Sequence, residues 1–95
     1  MISLVYLTTA SPSKLGAELE IAGYRVFETL SISEVLHRQE NEKIDAVIIG
    51  PDVPNAEDKE CLLRGTVMRL KTHATAAYLH WELSRLFPEK NASVQ

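Results

Sequence analysis

Cysteine is nearly missing from this sequence: Cys61 is the single one in 95 residues. A lone thiol forms no intramolecular disulfide and offers no paired thiolates to zinc, so a disulfide scaffold is excluded and a reducing compartment fits. A basic excess is missing too. The formal net charge is −3 and the pI about 5.5, which removes the broad positive field that nonspecific nucleic-acid binding draws on and leaves DNA and RNA poor partners. No apolar run approaches the roughly 20 residues of a membrane helix. The opening Met1-Ile-Ser-Leu-Val-Tyr-Leu7 lacks the basic leader and long apolar stretch of a signal peptide. The expectation is a cytoplasmic protein, bacterial in type, with no membrane partner. Glycine is scarce, at four residues, and none builds a phosphate-cradling loop with a Walker lysine.

What is present is an ordinary globular composition, 45% hydrophobic and 24% charged, in a length suited to one core. The expected organisation is a single domain over residues 1–88 followed by a frayed tail, 89–95, because Pro88 stops the last helix. Ile2 to Leu7 is a short, nearly continuous apolar run, the pattern of a strand covered on both faces. Ser11-Pro12 is a helix-start signal, Leu15, Leu19 and Ala22 share a face of the helix it opens, and Gly23 closes it. Tyr24 to Thr29 reads as a shorter strand.

Ser31 and Glu34 have capping-box spacing. The helix they open carries Ile32, Val35 and Leu36 inward and His37, Arg38, Gln39 and Glu40 toward water. Ile44 to Ile49 is a second buried strand. Pro51 and Pro54 break regular structure, Asn55 caps a helix through Leu63, and Gly65 separates it from a fourth strand, Thr66 to Leu70. The last helix runs from about Thr72 to Phe87. Alternating strands and helices at these spacings imply right-handed β-α-β units and a parallel sheet with helices on both faces.

The segments Gly23-Tyr-Arg-Val-Phe27 and Ile44-Asp-Ala-Val-Ile-Ile-Gly-Pro-Asp-Val-Pro54, in that arrangement, resemble the receiver domain of two-component response regulators over about the first seventy residues. The resemblance implies a flavodoxin-like three-layer α/β/α sandwich with a four-stranded parallel sheet in the order 2-1-3-4. It also locates what is different. Gly50 stands where the family has its phosphoaccepting aspartate, while Pro54 keeps the family's helix-opening place. Thr8, Thr9 and Ala10 stand where the family has its Mg²⁺-binding carboxylates, and a hard dication needs such oxygen anions. Asp52 lies two residues beyond the phosphoacceptor position. The family's fifth strand, its lysine and its fifth helix have no counterpart, so Lys71 does not take that lysine's role and Thr72 is only loosely placed as its switch threonine.

Three histidines, His37, His73 and His80, have no i, i+4 ligand spacing, and read as surface or helix-end residues. Cys61 has no adjacent base and reads as a packing residue. Glu57, Asp58 and Glu60 suit the first turn of a helix better than a metal site. The crevice at the carboxyl ends of the strands, lined by Thr8, Thr9, Ser11, Gly50 and Asp52, is the place for a small ligand such as a nucleotide or anion, with capping as the plainer role of its hydroxyls. On the last helix Ala76, Leu79, Leu83, Leu86 and Phe87 form the packing face. Tyr78, Trp81 and Arg85 lie opposite at helical spacing, in residue types enriched at interfaces; a rotated helix would instead put Trp81 into the core.

The expected function is a non-catalytic, receiver-like protein-interaction and signalling module, not phosphorylated on aspartate, with no cofactor or metal and with no protein partner named by the sequence. Self-association through the fourth strand's edge and the Trp81 helix is expected. The alternative is a flavodoxin-like small-ligand module using the crevice.

Overall fold

The computed structural model describes residues 2–9, 13–53, 63–72 and 74–88. The expected helix from Asn55, with Glu57, Asp58, Glu60 and Cys61, lies outside the described residues, as do Ser11, His73 and the tail 89–95.

Four strands form one parallel sheet: β1 (Ser3–Leu7), β2 (Arg25–Thr29), β3 (Ala46–Ile49) and β4 (Thr66–Arg69), in the order β2-β1-β3-β4. The expected order 2-1-3-4 and the flavodoxin-like α/β architecture are thus the ones observed. Register is continuous across the sheet, with Tyr6 paired to Glu28 on one side and Ile48 on the other, and Ile48 paired in turn to Met68. β1 and β3 are central, which is why their apolar runs have no polar alternation: every residue of β3, and all of β1 except Ser3, is buried.

Three helices are α1 (Lys14–Ile21), α2 (Ile32–Asn41) and α3 (Ala76–Leu86). Each begins at a hydroxyl cap. Ser13, Ser31 and Thr75 accept from the amides of Gly16, Glu34 and Tyr78, satisfying N–H groups that a helix cannot bond internally. The first cap falls at Ser13, two residues later than the Ser11-Pro12 signal suggests. In α2 the Ser31 hydroxyl accepts from Glu34 N at 3.2 Å, while the Glu34 carboxylate reaches one residue past the cap to Leu30 N at 3.2 Å, so the return half of the expected capping box falls on Leu30 rather than on Ser31.

The core is two-sided. Leu19 of α1 and Leu79 and Leu83 of α3 pack with Leu4, Tyr6, Ala46 and Ile48 on one face; Ile32 and Val35 of α2 pack with Val5, Leu7, Val47 and Ile49 on the other. Burying each such aliphatic side chain contributes about 1.5–3 kcal/mol. Two expected orientations differ. Gln39 is half-buried because its amide bonds both the N–H and C=O of Arg64, at 3.1 and 2.8 Å, tying α2 to the approach to β4. Leu86 is exposed at 44%, since the α3 face that meets the sheet is centred on Leu79 and Leu83. Tyr24 and His80 join the start of β2 to α3 through a 2.6 Å hydroxyl–imidazole hydrogen bond.

Candidate functional site

At the carboxyl end of the sheet the parallel strands stop together and their loops converge. Thr8, Thr9, Gly50 and Asp52 meet there, while Ser11, the fifth residue of the expected crevice, lies outside the described residues. Asp52 is the centre of the group: its carboxylate accepts from the Thr9 amide at 2.8 Å, from the Thr8 hydroxyl at 3.1 Å and from the Thr9 hydroxyl. The Thr9 hydroxyl, above all, holds the Asp52 carboxyl below its ordinary range, with the Thr9 amide and Thr8 hydroxyl adding to it and partial burial opposing it. The loop after β1 is therefore stitched to the loop after β3 by an ionised side chain of the chain itself.

Directly beneath lies Tyr6, 5% exposed. Burial pushes its phenol up from 10.0, and the Asp52 and Glu28 charges push the same way, while a hydrogen bond with Thr8 opposes them. Tyr6 stays neutral, a hydroxyl in an acidic corner. Gly50 closes the floor. A Cβ there would stand 2.7 Å from Asp52 Oδ1 and 3.1 Å from both the Leu7 carbonyl oxygen and the Tyr6 hydroxyl, so this backbone packs too closely for a larger residue without displacement.

Glu28 is a member of the group that the sequence reading does not pick out. From the end of β2 it accepts from Ser13 N at 2.8 Å, at the start of α1. The first turn of α1 contains no acidic residue of its own, and Glu28 supplies the negative charge that a helix N-terminus favours. Gly16 permits the approach, since a Cβ on it would lie 2.6 Å from Glu28 Oε2. No local motif announces this contact; it arises from the register that sets Glu28 beside Tyr6.

The arrangement bears on ligand chemistry. The donors that an incoming anion would use, the Thr8 and Thr9 hydroxyls and the Thr9 and Ser13 amides, already serve Asp52 and Glu28. An anion entering here would meet two carboxylates. Among the described residues no group of three or more His, Cys, Asp or Glu side chains is arranged to hold a metal ion.

The second candidate surface is the outward side of α3. Tyr78 and Trp81 are 50% and 58% exposed, so Trp81 does not complete the core. Their ring centroids are 6.5 Å apart, and the Arg85 guanidinium lies 5.1 Å from the Trp81 ring centroid while bonding Glu82 at 3.2 Å. The three side chains make one stripe on the side of α3 opposite Leu79 and Leu83.

No helix among the described residues is long and apolar enough to cross a membrane. The chain matches no family model, no curated protein and no solved structure.

Proposed function

We propose that this chain is a non-catalytic, receiver-like interaction module that works through contacts of its α3 face rather than through an aspartyl phosphate. The supporting observation is the pairing of a closed site with an open surface. At the carboxyl end of the sheet, Gly50 lacks a side chain to accept a phosphoryl group, and the neighbouring acid, Asp52, is committed to Thr8 and Thr9. A carboxylate held by three donors is a poorer nucleophile than a free one, because each bond stabilises the charge that attack would spend.

The Tyr78–Trp81–Arg85 stripe, by contrast, spends two aromatic rings and a guanidinium on solvent. Aromatic and Arg side chains of this kind supply most of the binding energy at protein interfaces. Receiver resemblance in the sequence and the α/β architecture are the reasons to describe the module as receiver-like, and a cytoplasmic signalling role goes with that description.

The test has two arms. Incubation with acetyl phosphate is expected to leave no hydroxylamine-labile phosphoaspartate by intact-mass analysis; appearance of one would overturn the reading. Light scattering of wild type and Trp81→Ala at high micromolar concentration is expected to show an assembly that the substitution weakens without altering the circular-dichroism spectrum.

A further inference from the structure

β2 pairs with β1 so that Phe27 stands opposite Val5 and Thr29 opposite Leu7. Val5 and Leu7 belong to the core on the α2 face, and Phe27 packs against it. Cross-strand partners share a face of the sheet, so the Thr29 side chain points toward α2. Thr29 is 2% exposed, and its buried hydroxyl oxygen has no hydrogen-bond partner among the described residues. A buried hydroxyl left unbonded is costly, and each such exception calls for an explanation.

Thr29 lines a cleft of about 440 Å³ between the end of β2 and the start of α2, together with Glu28, Ser33, Glu34, His37 and Arg38. That volume is within the range of small-ligand pockets, about 300–1,000 Å³. The charges around it are not equally available. The Arg38 guanidinium lies 3.0 Å from Glu42 and 4.7 Å from the Phe27 ring centroid, so a neighbouring carboxylate balances it. Glu28 accepts from Ser13 N at 2.8 Å and Glu34 from Leu30 N at 3.2 Å; both donors are neutral amides, which leave the two negative charges in place. The cleft therefore disfavours an anion. A metal ion fits poorly too, since among the described residues no group of three or more His, Cys, Asp or Glu side chains is arranged to hold one.

We infer that this cleft binds a small primary amine, whose ammonium donates to the Thr29 hydroxyl and to the Glu34 carboxylate. An ammonium has three donors and no acceptor, the complement of a lining that offers hydroxyl oxygens from Thr29 and Ser33 beside the charges of Glu28 and Glu34. The bond it makes to Thr29 is the one the fold leaves unmade, and a charged donor makes that bond stronger than a neutral one would. Because the Thr29 oxygen is buried, entry takes a side-chain rotation in the lining. His37, exposed and with its ring nitrogens 3.4 Å from the Asn41 amide, is held loosely enough to make it. The site stands apart from the α3 face and does not depend on the interaction-module reading.

The experiment titrates the full chain with putrescine, read by amide chemical shifts and melting temperature, with butanediol and succinate as neutral and anionic probes of the same chain length. The expected result is saturable shifts at Thr29, Ser33, Glu34 and His37 by low millimolar putrescine, with a rise in melting temperature, and neither response to the other two probes. Thr29→Val keeps the side chain's shape and removes its hydroxyl. It is expected to weaken putrescine binding about tenfold while leaving the free protein at least as stable as wild type. Glu34→Gln keeps an acceptor for the helix start and removes the charge; it is expected to weaken binding by a similar factor and decides the matter should the Thr29 variant fail to fold. No saturable shift with putrescine, an equal response to butanediol, or unchanged affinity in either folded variant overturns the inference. A Thr29→Val protein less stable than wild type, together with no putrescine response in wild type, marks a buried water as the hydroxyl's partner and overturns it as well.

Discussion

β2 and β4 share one parallel ladder and lie equally at its margins, but β2 carries two guanidinium groups stacked on Phe27, while β4 carries Arg69, whose guanidinium donates to the Val53 carbonyl at 3.3 Å. The β2 closure is made of local sequence: Arg25 and Phe27 from the strand, Arg38 and Glu42 from the helix that follows it. α3 instead turns two aromatic residues, Tyr78 and Trp81, toward solvent. An edge strand can be guarded by charged side chains, and the β2 margin of this small sheet illustrates that way of finishing a strand.

The comparison breaks most completely if the β4 side loses its helix. Leu83→Ala removes a fully buried side chain that holds α3 on the sheet, and is expected to cost about 2–5 kcal/mol in a denaturant melt. The carboxyl end, which belongs equally to both halves, gives the next effect. Gly50→Asp places an acid at the phosphoacceptor position but must displace Asp52 and crowd the Leu7 carbonyl; a loss of about 1–3 kcal/mol is expected, measured by thermal or chemical unfolding, with no gain of labile phosphate.

On the β2 margin, Phe27→Leu keeps apolar bulk and removes the ring face that two guanidinium groups share. A loss of about 1 kcal/mol is expected, with more salt-sensitive association than wild type by light scattering. The smallest effect concerns pH. Asp52 has its carboxyl lowered in the folded state, so its contribution is present above the ordinary carboxylate range and is lost as pH falls through the lowered value. Tyr6, raised by burial, gives the opposite limb: its contribution is complete below 10.0 and is lost as pH rises through the higher folded value. Asp52→Asn is expected to flatten the acid limb and leave the alkaline limb in place, read from urea midpoints across pH.

Much of the fold is legible in the chain because its signals are local. The runs at Ile2 to Leu7 and Ile44 to Ile49 have the strand's composition, and the hydroxyl caps act within three residues of themselves. The crevice was legible in part: Thr8, Thr9, Gly50 and Asp52 could be grouped from the strand ends. Glu28 and Tyr6 could not, since nothing near either residue reports the other.

By itself, then, the sequence determined the four strands, three of the helices, the parallel ladder they imply and the absence of an acid at position 50, because hydrophobic period, capping and residue identity are properties of short segments. Only the tertiary structure decided that Asp52 would spend its charge on threonines 43 and 44 residues away, that Glu28 would serve α1, and that Trp81 would face solvent. Those outcomes depend on strand register and helix rotation, which are fixed by packing across the whole sheet rather than by any one stretch of chain.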